Sequence, residues 1–339
     1  MLTMLLTLAA CGPVPTAAKA SPSTVASASP SPFASPVVLR VRAGWPAYVD
    51  VAVATEWRSP GSPRAIDAPA LANPVRMRQW LAAMTAADQA GLIGRADSQA
   101  LLGERVDVVA LRGSWAKVVL PRQATPLDAK GYPGWIPLVQ LSPTAPPTTG
   151  SAATVTAPTA WLFRRDGVRA IEMSFGTRLP VIAGGGSALE VGLPGGRSLM
   201  VARAAVVVTG AKSLALPKTS SSIIASAREF LGKTYLWAGT SGFGFDCSGL
   251  MYNVFRVHGV TLPRDAQDQA LFGRSVSRTD LLPGDLVFLA KGGVVHHVAM
   301  YVGNGQVLDS PDFGLGVEVV SIASEPYASE FSGARRVLP

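Results

Sequence analysis

One cysteine in this chain is placed to do chemistry. Cys247 follows Phe245-Asp246 and precedes Ser248-Gly249-Leu250. The only other cysteine, Cys11, lies in a processing signal at the extreme N-terminus, so a mature chain offers Cys247 no disulfide partner. An unpaired thiol in an exported protein is a liability unless it reacts, and a reacting thiolate needs a base or imidazolium beside it. The chain has three histidines: His258, His296 and His297. An orienting group for the imidazole completes such a set. Asp309, twelve residues past His297 and across the Gly303-Asn304-Gly305 turn, is the candidate, with Asp312 as the substitute and a plain strand-end polar residue as the alternative reading.

These groups must be positioned by a helix and a sheet. Cys247 opens a predicted helix running to about Val257, where free backbone N–H groups and the helix dipole favour a thiolate. His258 closes the same helix, roughly 16 Å away at 1.5 Å per residue, too far to serve. His296 and His297 open a predicted strand, so their side chains point to opposite faces and only one can meet Cys247. His297, which directly precedes the apolar run Val298-Ala299-Met300-Tyr301-Val302, is that residue, and His296 is a loop or solvent-facing side chain. Further strands are expected at Asp285-Leu286-Val287-Phe288-Leu289, Gln306-Val307-Leu308-Asp309 and Val317-Glu318-Val319-Val320. An amphipathic helix over 223–231, capped by Ser222 and ended by Gly232, precedes the Gly-rich loop to Cys247. Helices first and strands later is an α+β order for residues 217–339.

Upstream, residues 37–142 read as one unit of strands with a helical excursion. Asn73-Pro74 supplies an N-cap and first turn, with Val75, Leu81 and Met84 near one face, and Thr85-Ala86-Ala87-Asp88 has a capping-box pattern. Trp115-Ala116-Lys117-Val118-Val119 and Gly131-Tyr132-Pro133-Gly134-Trp135-Ile136-Pro137 close the unit. Residues 143–158, rich in Thr, Ala and Pro, read as a linker. Residues 159–216 then repeat the grammar: Gly176-Thr177-Arg178-Leu179 parallels Gly103-Glu104-Arg105-Val106, and a matching strand follows twelve residues after each glycine.

The N-terminus, Met1 to Gly12, is a short apolar stretch ending Leu8-Ala9-Ala10-Cys11. It resembles a bacterial lipobox over 1–11, with Cys11 as the lipidation site; a fragment of an ordinary secretory signal is the alternative. It is too short to span a bilayer. Residues 12–36, rich in Pro, Ala and Ser, read as a semi-extended linker. The expectation is an exported protein of the cell envelope, held to a membrane by an N-terminal lipid. The formal charge of +8 is scattered, with no Lys/Arg run and no nucleic-acid signature. Three histidines, two of them adjacent, have no metal-ligand spacing, and no phosphate loop is present, so neither metal nor cofactor is expected. A monomer is expected.

Several motifs carry a resemblance. Tyr235-x-Trp237-Ala238-Gly239, Phe245-Asp246-Cys247-Ser248-Gly249-Leu250, Leu262-Pro263-Arg264, Leu282-Pro283-Gly284-Asp285-Leu286-Val287-Phe288 and His297 through Gly305 resemble the NlpC-type cell-wall cysteine peptidases in order and spacing. That resemblance implies a papain-like fold with an antiparallel sheet over 217–339. Ala238 replaces a usual glycine, and Asp309 stands where the family mostly has histidine, which bears on rate and pH optimum. The upstream units resemble bacterial SH3-like barrels, the first with a helical insertion. Residues 53–137 further resemble the SH3-like domain of γ-D-glutamyl-L-diamino acid endopeptidases. The resemblance implies that this domain closes one end of the cleft, where Asp97 and Tyr132 would bind the free α-amine of an L-Ala-γ-D-Glu-diamino acid peptide derived from peptidoglycan. Asp246 and Ser248 would contact the N-terminal dipeptide and Tyr235 the oxyanion; Asp246 as a helix N-cap and Tyr132 and Tyr235 as packing residues are the plainer alternatives. Two rivals are a hydrolase of intact peptidoglycan anchored by its SH3-like domains and a catalytically inactive wall-binding lipoprotein.

Overall fold

The computed structural model describes residues 40–338; Cys11 and the 12–36 linker lie outside the described residues. The first seven strands are β1 (Pro46–Val49), β2 (Val53–Trp57), β3 (Ala96–Leu101), β4 (Arg105–Arg112), β5 (Trp115–Leu120), β6 (Tyr132–Pro137) and β7 (Leu141–Ser142). They join in the order β3-β2-β6-β5-β4-β1-β7. Alternation explains the inward set: Val106 and Val108 of β4 face Ala116 and Val118 of β5 in one core with Val49 and Ile136. The connection between β2 and β3 carries the helical insertion, with α1 (Ala68–Leu71), α2 (Met77–Ala83) and α3 (Ala86–Ala90). Its core is Trp57 against Trp80, with ring centroids 6.2 Å apart. The Thr85 capping box forms as expected on α3. The Asn73 cap does not: the Asn73 side chain donates instead to the Val139 carbonyl at 2.8 Å, and α2 begins at Met77.

Seven more strands repeat the pattern: β8 (Ser151–Val155), β9 (Thr159–Phe163), β10 (Arg169–Ser174), β11 (Arg178–Gly185), β12 (Ala188–Gly192), β13 (Ser198–Ala202) and β14 (Val206–Gly210). Their order, β10-β9-β13-β12-β11-β8-β14, is the first sheet's order with seven added to every label. The repeat glimpsed in the sequence is therefore a repeat of topology. It begins earlier than expected, because β8 occupies the second half of the supposed 143–158 linker, where it pairs with β11 and β14.

The remaining chain contains α4 (Ser220–Arg228), the short pair β15 (Thr240–Ser241) and β16 (Gly244–Phe245), α5 (Cys247–Val257) and α6 (Ala266–Gln269). The strands β17 (Arg274–Val276), β18 (Leu286–Lys291), β19 (Val294–Gly303), β20 (Gln306–Asp309) and β21 (Glu318–Ser321) follow, then α7 (Tyr327–Glu330) and β22 (Phe331–Arg336). The sheet order is β17-β22-β18-β19-β20-β21, antiparallel throughout. The class is α+β. Thr219, rather than Ser222, caps α4, its hydroxyl accepting from the Ser222 N–H at 3.3 Å. Helix α5 is buried along nearly all its length, packing Leu250, Met251, Val254 and Phe255 on Leu286, Phe288, Val298 and Met300 of the sheet. At about 1.5–3 kcal/mol per buried large side chain, this contact is the main force holding the Cys247 helix to the sheet that carries His297.

Candidate active site

Cys247 is the first residue of α5 and is 7% exposed. Asp246 caps the helix, its Oδ1 accepting from the Gly249 N–H at 2.6 Å. That cap fixes the turn from which the thiol projects. Helix α5 crosses β19, and the β19–β20 hairpin supplies the partner groups. His297 Nε2 lies 2.8 Å from Asp309 Oδ1. The second carboxylate oxygen of Asp309 accepts from the Tyr327 hydroxyl, and Tyr327 is 2% exposed. Asp309 is thus held from two sides. Asp312, the substitute candidate, instead accepts at Oδ1 from the Phe313 N–H at 2.7 Å.

The two other histidines have different partners. His258 is buried, donating from Nδ1 to the Pro217 carbonyl at 2.6 Å and accepting at Nε2 from the Ser226 hydroxyl at 2.9 Å. His296 is exposed and pairs with Glu330 at 2.9 Å at the mouth of the cleft.

Cys247 opens into a cleft of ≈ 390 Å³ whose far wall comes from the first seven-stranded sheet. Arg58 and Asp97 face each other there, with Nε–Oδ distances of 2.9 and 3.0 Å. Tyr132 donates from its hydroxyl to Asp265 Oδ2 at 3.0 Å. Arg264, 1% exposed, donates to both oxygens of Asp246 at 3.2 and 2.6 Å, to the Ser248 hydroxyl at 3.0 Å and to the Ser98 hydroxyl at 3.0 Å. The wall is fastened to the cysteine loop by Trp237 Nε1, which donates to the Ala96 carbonyl at 2.9 Å, and by the Thr240 N–H, which donates to Gln99 Oε1 at 3.1 Å. Tyr235 lines the cleft beside Cys247 and stacks edge-on against Phe313, with centroids 5.0 Å apart.

The thiol thus stands at a helix N-terminus, with an imidazole and a carboxylate on the β19–β20 hairpin and the first barrel across the cleft. The description "NlpC/P60 family" matches residues 232–336, and "YKFC SH3b2 domain" matches residues 155–208. A γ-D-glutamyl-L-lysine dipeptidyl-peptidase of Bacillus cereus (strain ATCC 10987 / NRS 248) is 38% identical over 303 residues, covering 86% of this chain and 91% of that protein. A protein of the same name from Bacillus subtilis (strain 168) is 40% identical over 290 residues, covering 84% of this chain and 96% of that one. The crystal structure of an NlpC/P60 family protein from Bacillus cereus ATCC 10987 superposes with a TM-score of 0.82 at 37% identity, covering 87% of this chain and 100% of that one. The chain belongs to the NlpC/P60 family. It is a cysteine peptidase with an SH3b domain ahead of its catalytic domain.

The electrostatics suit an NlpC/P60 peptidase. Burial opposes the charged form of His297, but the Asp309 carboxylate, then Cys247, outweigh it and raise the imidazole well above its ordinary pKa. Burial raises Tyr235, with Cys247 and Asp246 adding to the effect, so its hydroxyl keeps its proton and can donate it. Burial likewise raises Tyr132, followed by Asp265, and raises Asp265 against the opposing Arg264. Ala238 adopts a left-handed backbone, φ 65. Such a left-handed conformation costs an L-residue roughly 1–2 kcal/mol. Sequence reasoning missed Arg58, Asp265 and Tyr327. It quoted Arg264 only as part of a motif. A charged pair in the motif ahead of α6 was a usable signal for Arg264 and Asp265; nothing local marks Tyr327, which meets Asp309 only through the fold.

Proposed function

We propose that this peptidase hydrolyses the bond after γ-D-glutamate in peptidoglycan stem peptides whose N-terminal L-Ala is free. The observation that carries the proposal is the lining of the Cys247 cleft, where Asp97 and Tyr132 of the first barrel stand with Asp246 and Asp265. Its three carboxylates outnumber the guanidiniums of Arg58 and Arg264, a lining that suits an ammonium better than an uncharged acylated terminus. The names of the two Bacillus relatives support the same bond.

In this reading, the Cys247 sulfur adds to the γ-carbonyl carbon of D-glutamate. The oxyanion is held by the Cys247 backbone N–H and the Tyr235 hydroxyl. His297, oriented by Asp309, gives its proton to the departing amine of the diamino acid as the C–N bond breaks. Water, deprotonated by His297, then cleaves the thioester and releases the dipeptide. Ser248 and Asp246, fixed by Arg264, border the dipeptide's place in the cleft. Lipid attachment at Cys11 would hold the enzyme at the envelope, with residues 12–36 as its spacer, acting as a monomer on soluble fragments.

The test is product analysis. Purified protein given L-Ala-γ-D-Glu-L-Lys should release L-Ala-γ-D-Glu, with the N-acetylated peptide cut at least 100-fold more slowly and Cys247→Ala inert. Equal cleavage of both peptides would defeat the free-amine requirement. No cleavage of either would leave the protein as a wall-binding module.

A further inference from the structure

A second cavity lies between the two barrels. At ≈ 900 Å³ it is more than twice the ≈ 390 Å³ of the Cys247 cleft, and the two linings share no residue. The first barrel supplies the β1–β2 turn and the start of α2. The second supplies parts of β9, β10 and β13, and Phe243 of the cysteine loop completes the lining. Neither barrel forms this cavity alone, and nothing in the mechanism above uses it.

Its charge is one-sided. Five arginines line it, Arg76, Arg78, Arg164, Arg169 and Arg197, against two acids, Asp50 and Glu172. Both acids are taken. Arg78 Nε donates to Glu172 Oε2 at 2.8 Å, and Arg197 pairs with Asp50. Each of these pairs joins one barrel to the other, so they fix the two walls. Arg76, Arg164 and Arg169 are exposed and have no carboxylate partner among the described residues, which leaves three surplus positive charges. Arg169 lies over the Trp161 ring, 5.1 Å from its centroid. Stacking of this kind holds the guanidinium plane and leaves its N–H edge open to an anion. The half-buried Val75, Ile171 and Leu199 add apolar surface to the same cavity.

We propose that this interbarrel cavity binds a segment of acidic glycan, with its carboxylate or phosphate groups on Arg76, Arg164 and Arg169 and the apolar faces of its sugar or polyol units on Trp161, Ile171 and Leu199. Charge complementarity selects the ligand: up to three acidic groups enter without leaving an anion unpaired, and arginine forks match carboxylates and phosphates alike. The apolar lining favours a ligand with a body over a bare ion. The concave shape and the volume suit a chain segment and not the flat face of a bilayer. The site would hold the enzyme on its polymer while the separate cleft cuts peptides. It does not depend on the free-amine reading of that cleft.

Calorimetric titration of the Cys247→Ala protein tests the proposal with three soluble probes. One is glycan strands stripped of their stem peptides, which exposes their carboxylates. The second is a polyol phosphate polymer, and the third is a chitin oligosaccharide, a neutral counterpart of the first. At least one acidic probe should bind, more weakly as salt rises, and the neutral one should bind at least roughly tenfold more weakly. The better acidic probe identifies the anionic group as carboxylate or phosphate. The double variant Arg164→Gln/Arg169→Gln on the second barrel, and Arg76→Gln on the first, should each weaken acidic binding roughly tenfold or more. Both leave the Arg78–Glu172 and Arg197–Asp50 pairs in place, so thermal melts should match those of the parent. With Cys247 restored, cleavage of L-Ala-γ-D-Glu-L-Lys should be unchanged in both variants. Failure of both acidic probes to bind, equal binding of the neutral one, or affinity indifferent to the arginines would overturn the proposal. So would binding seen only with anionic lipid vesicles, which would make the arginines a membrane contact. A tripeptide that is not cut by the parent enzyme would overturn the cleft reading and leave this one standing.

Discussion

The two barrels have the same strand order and differ in what fills two connections, most of all the one after the second strand. Between β2 and β3 the first barrel carries three helices and Arg58, Ile93 and Gly94 of the cleft lining, which Asp97 of β3 and Tyr132 of β6 complete; between β9 and β10 the second carries a short turn. Their equivalent turns, Gly103-Glu104 and Gly176-Thr177, both reach the C-terminal half of α5. Both glycines have positive φ, 82 and 81. Glu104 forms an ion pair with Arg256 of α5, and a Cβ on Gly176 would lie 2.6 Å from Asn253 Oδ1 of the same helix. So both barrels brace the helix that presents Cys247, and only one reaches its substrate cleft. The shared topology is scaffold, and the cleft lining is what the first barrel adds to it.

The largest effect should come from a residue in neither barrel. Asp309→Asn keeps the hydrogen-bonding shape but removes the charge that favours the His297 imidazolium. A fall in kcat of about 10²–10⁴ is expected, with KM nearly constant. Because Asp309 raises the His297 pKa, the alkaline limb of the rate profile should move to lower pH in the variant. Stability should change as well. A raised histidine pKa stabilises the fold fully below the unfolded value of about 6.5 and progressively less as pH rises through the folded value. Thermal melts of wild type and Asp309→Asn should therefore differ most at acidic pH and converge as pH rises. Equal kcat would make Asp309 a strand-end residue and shift attention to Tyr327.

The two equivalent turns separate next. Glu104→Gln leaves Arg256 buried without its counter-charge and should cost about 3–5 kcal/mol, read by chemical denaturation. Thr177 occupies the matching place in the second barrel, where its buried hydroxyl has no partner. Thr177→Val should be neutral or slightly stabilising. Similar losses in both would mean that the barrels brace α5 alike.

Specificity should follow the first barrel alone. Asp97→Asn removes a charged partner worth about 1.5–3 kcal/mol, so KM for the free-amine peptide should rise roughly 10- to 150-fold with kcat little changed. Cleavage of an N-acetylated peptide should not respond. In the second barrel, Ser174 accepts the Gly242 N–H at 2.9 Å behind the cysteine loop. Ser174→Ala should cost about 1 kcal/mol of stability and leave KM alone.

What was legible in the sequence was local. The Cys247–Val257 helix follows from its Asp246 cap and apolar faces, and Gln306–Asp309 from alternation after a tight glycine turn. Where a side chain's partner is distant, local rules failed. Asn73 looked like a cap because Pro follows it, but Val139 claims its amide from 66 residues away. β8 looked like linker because Thr, Ala and Pro crowd its flanks, and only pairing with β11 and β14 makes it a strand. The meeting of His297 with Asp309 was readable because the chain has three histidines and a tight turn returns Asp309 beside one of them. Tyr327 was not, since a tyrosine announces nothing until its burial and neighbours are known.

The smallest effect concerns Ala238, in the core cluster that joins the cysteine loop to the insertion. Ala238, Leu236 and Phe243 pack there with Trp57, Trp80 and Ala96. The alanine keeps φ 65 because this packing and the Trp237 bond to Ala96 hold the loop from the first-barrel side. Glycine would remove the conformational cost, offset by its larger unfolded-state entropy and the loss of one buried methyl group. Ala238→Gly should thus gain at most about 1 kcal/mol in denaturation, without altering kcat. Falling activity in that variant would mean that the alanine's strain helps to aim Cys247. In that case the insertion, which only the first barrel has, would position the nucleophile as well as the substrate.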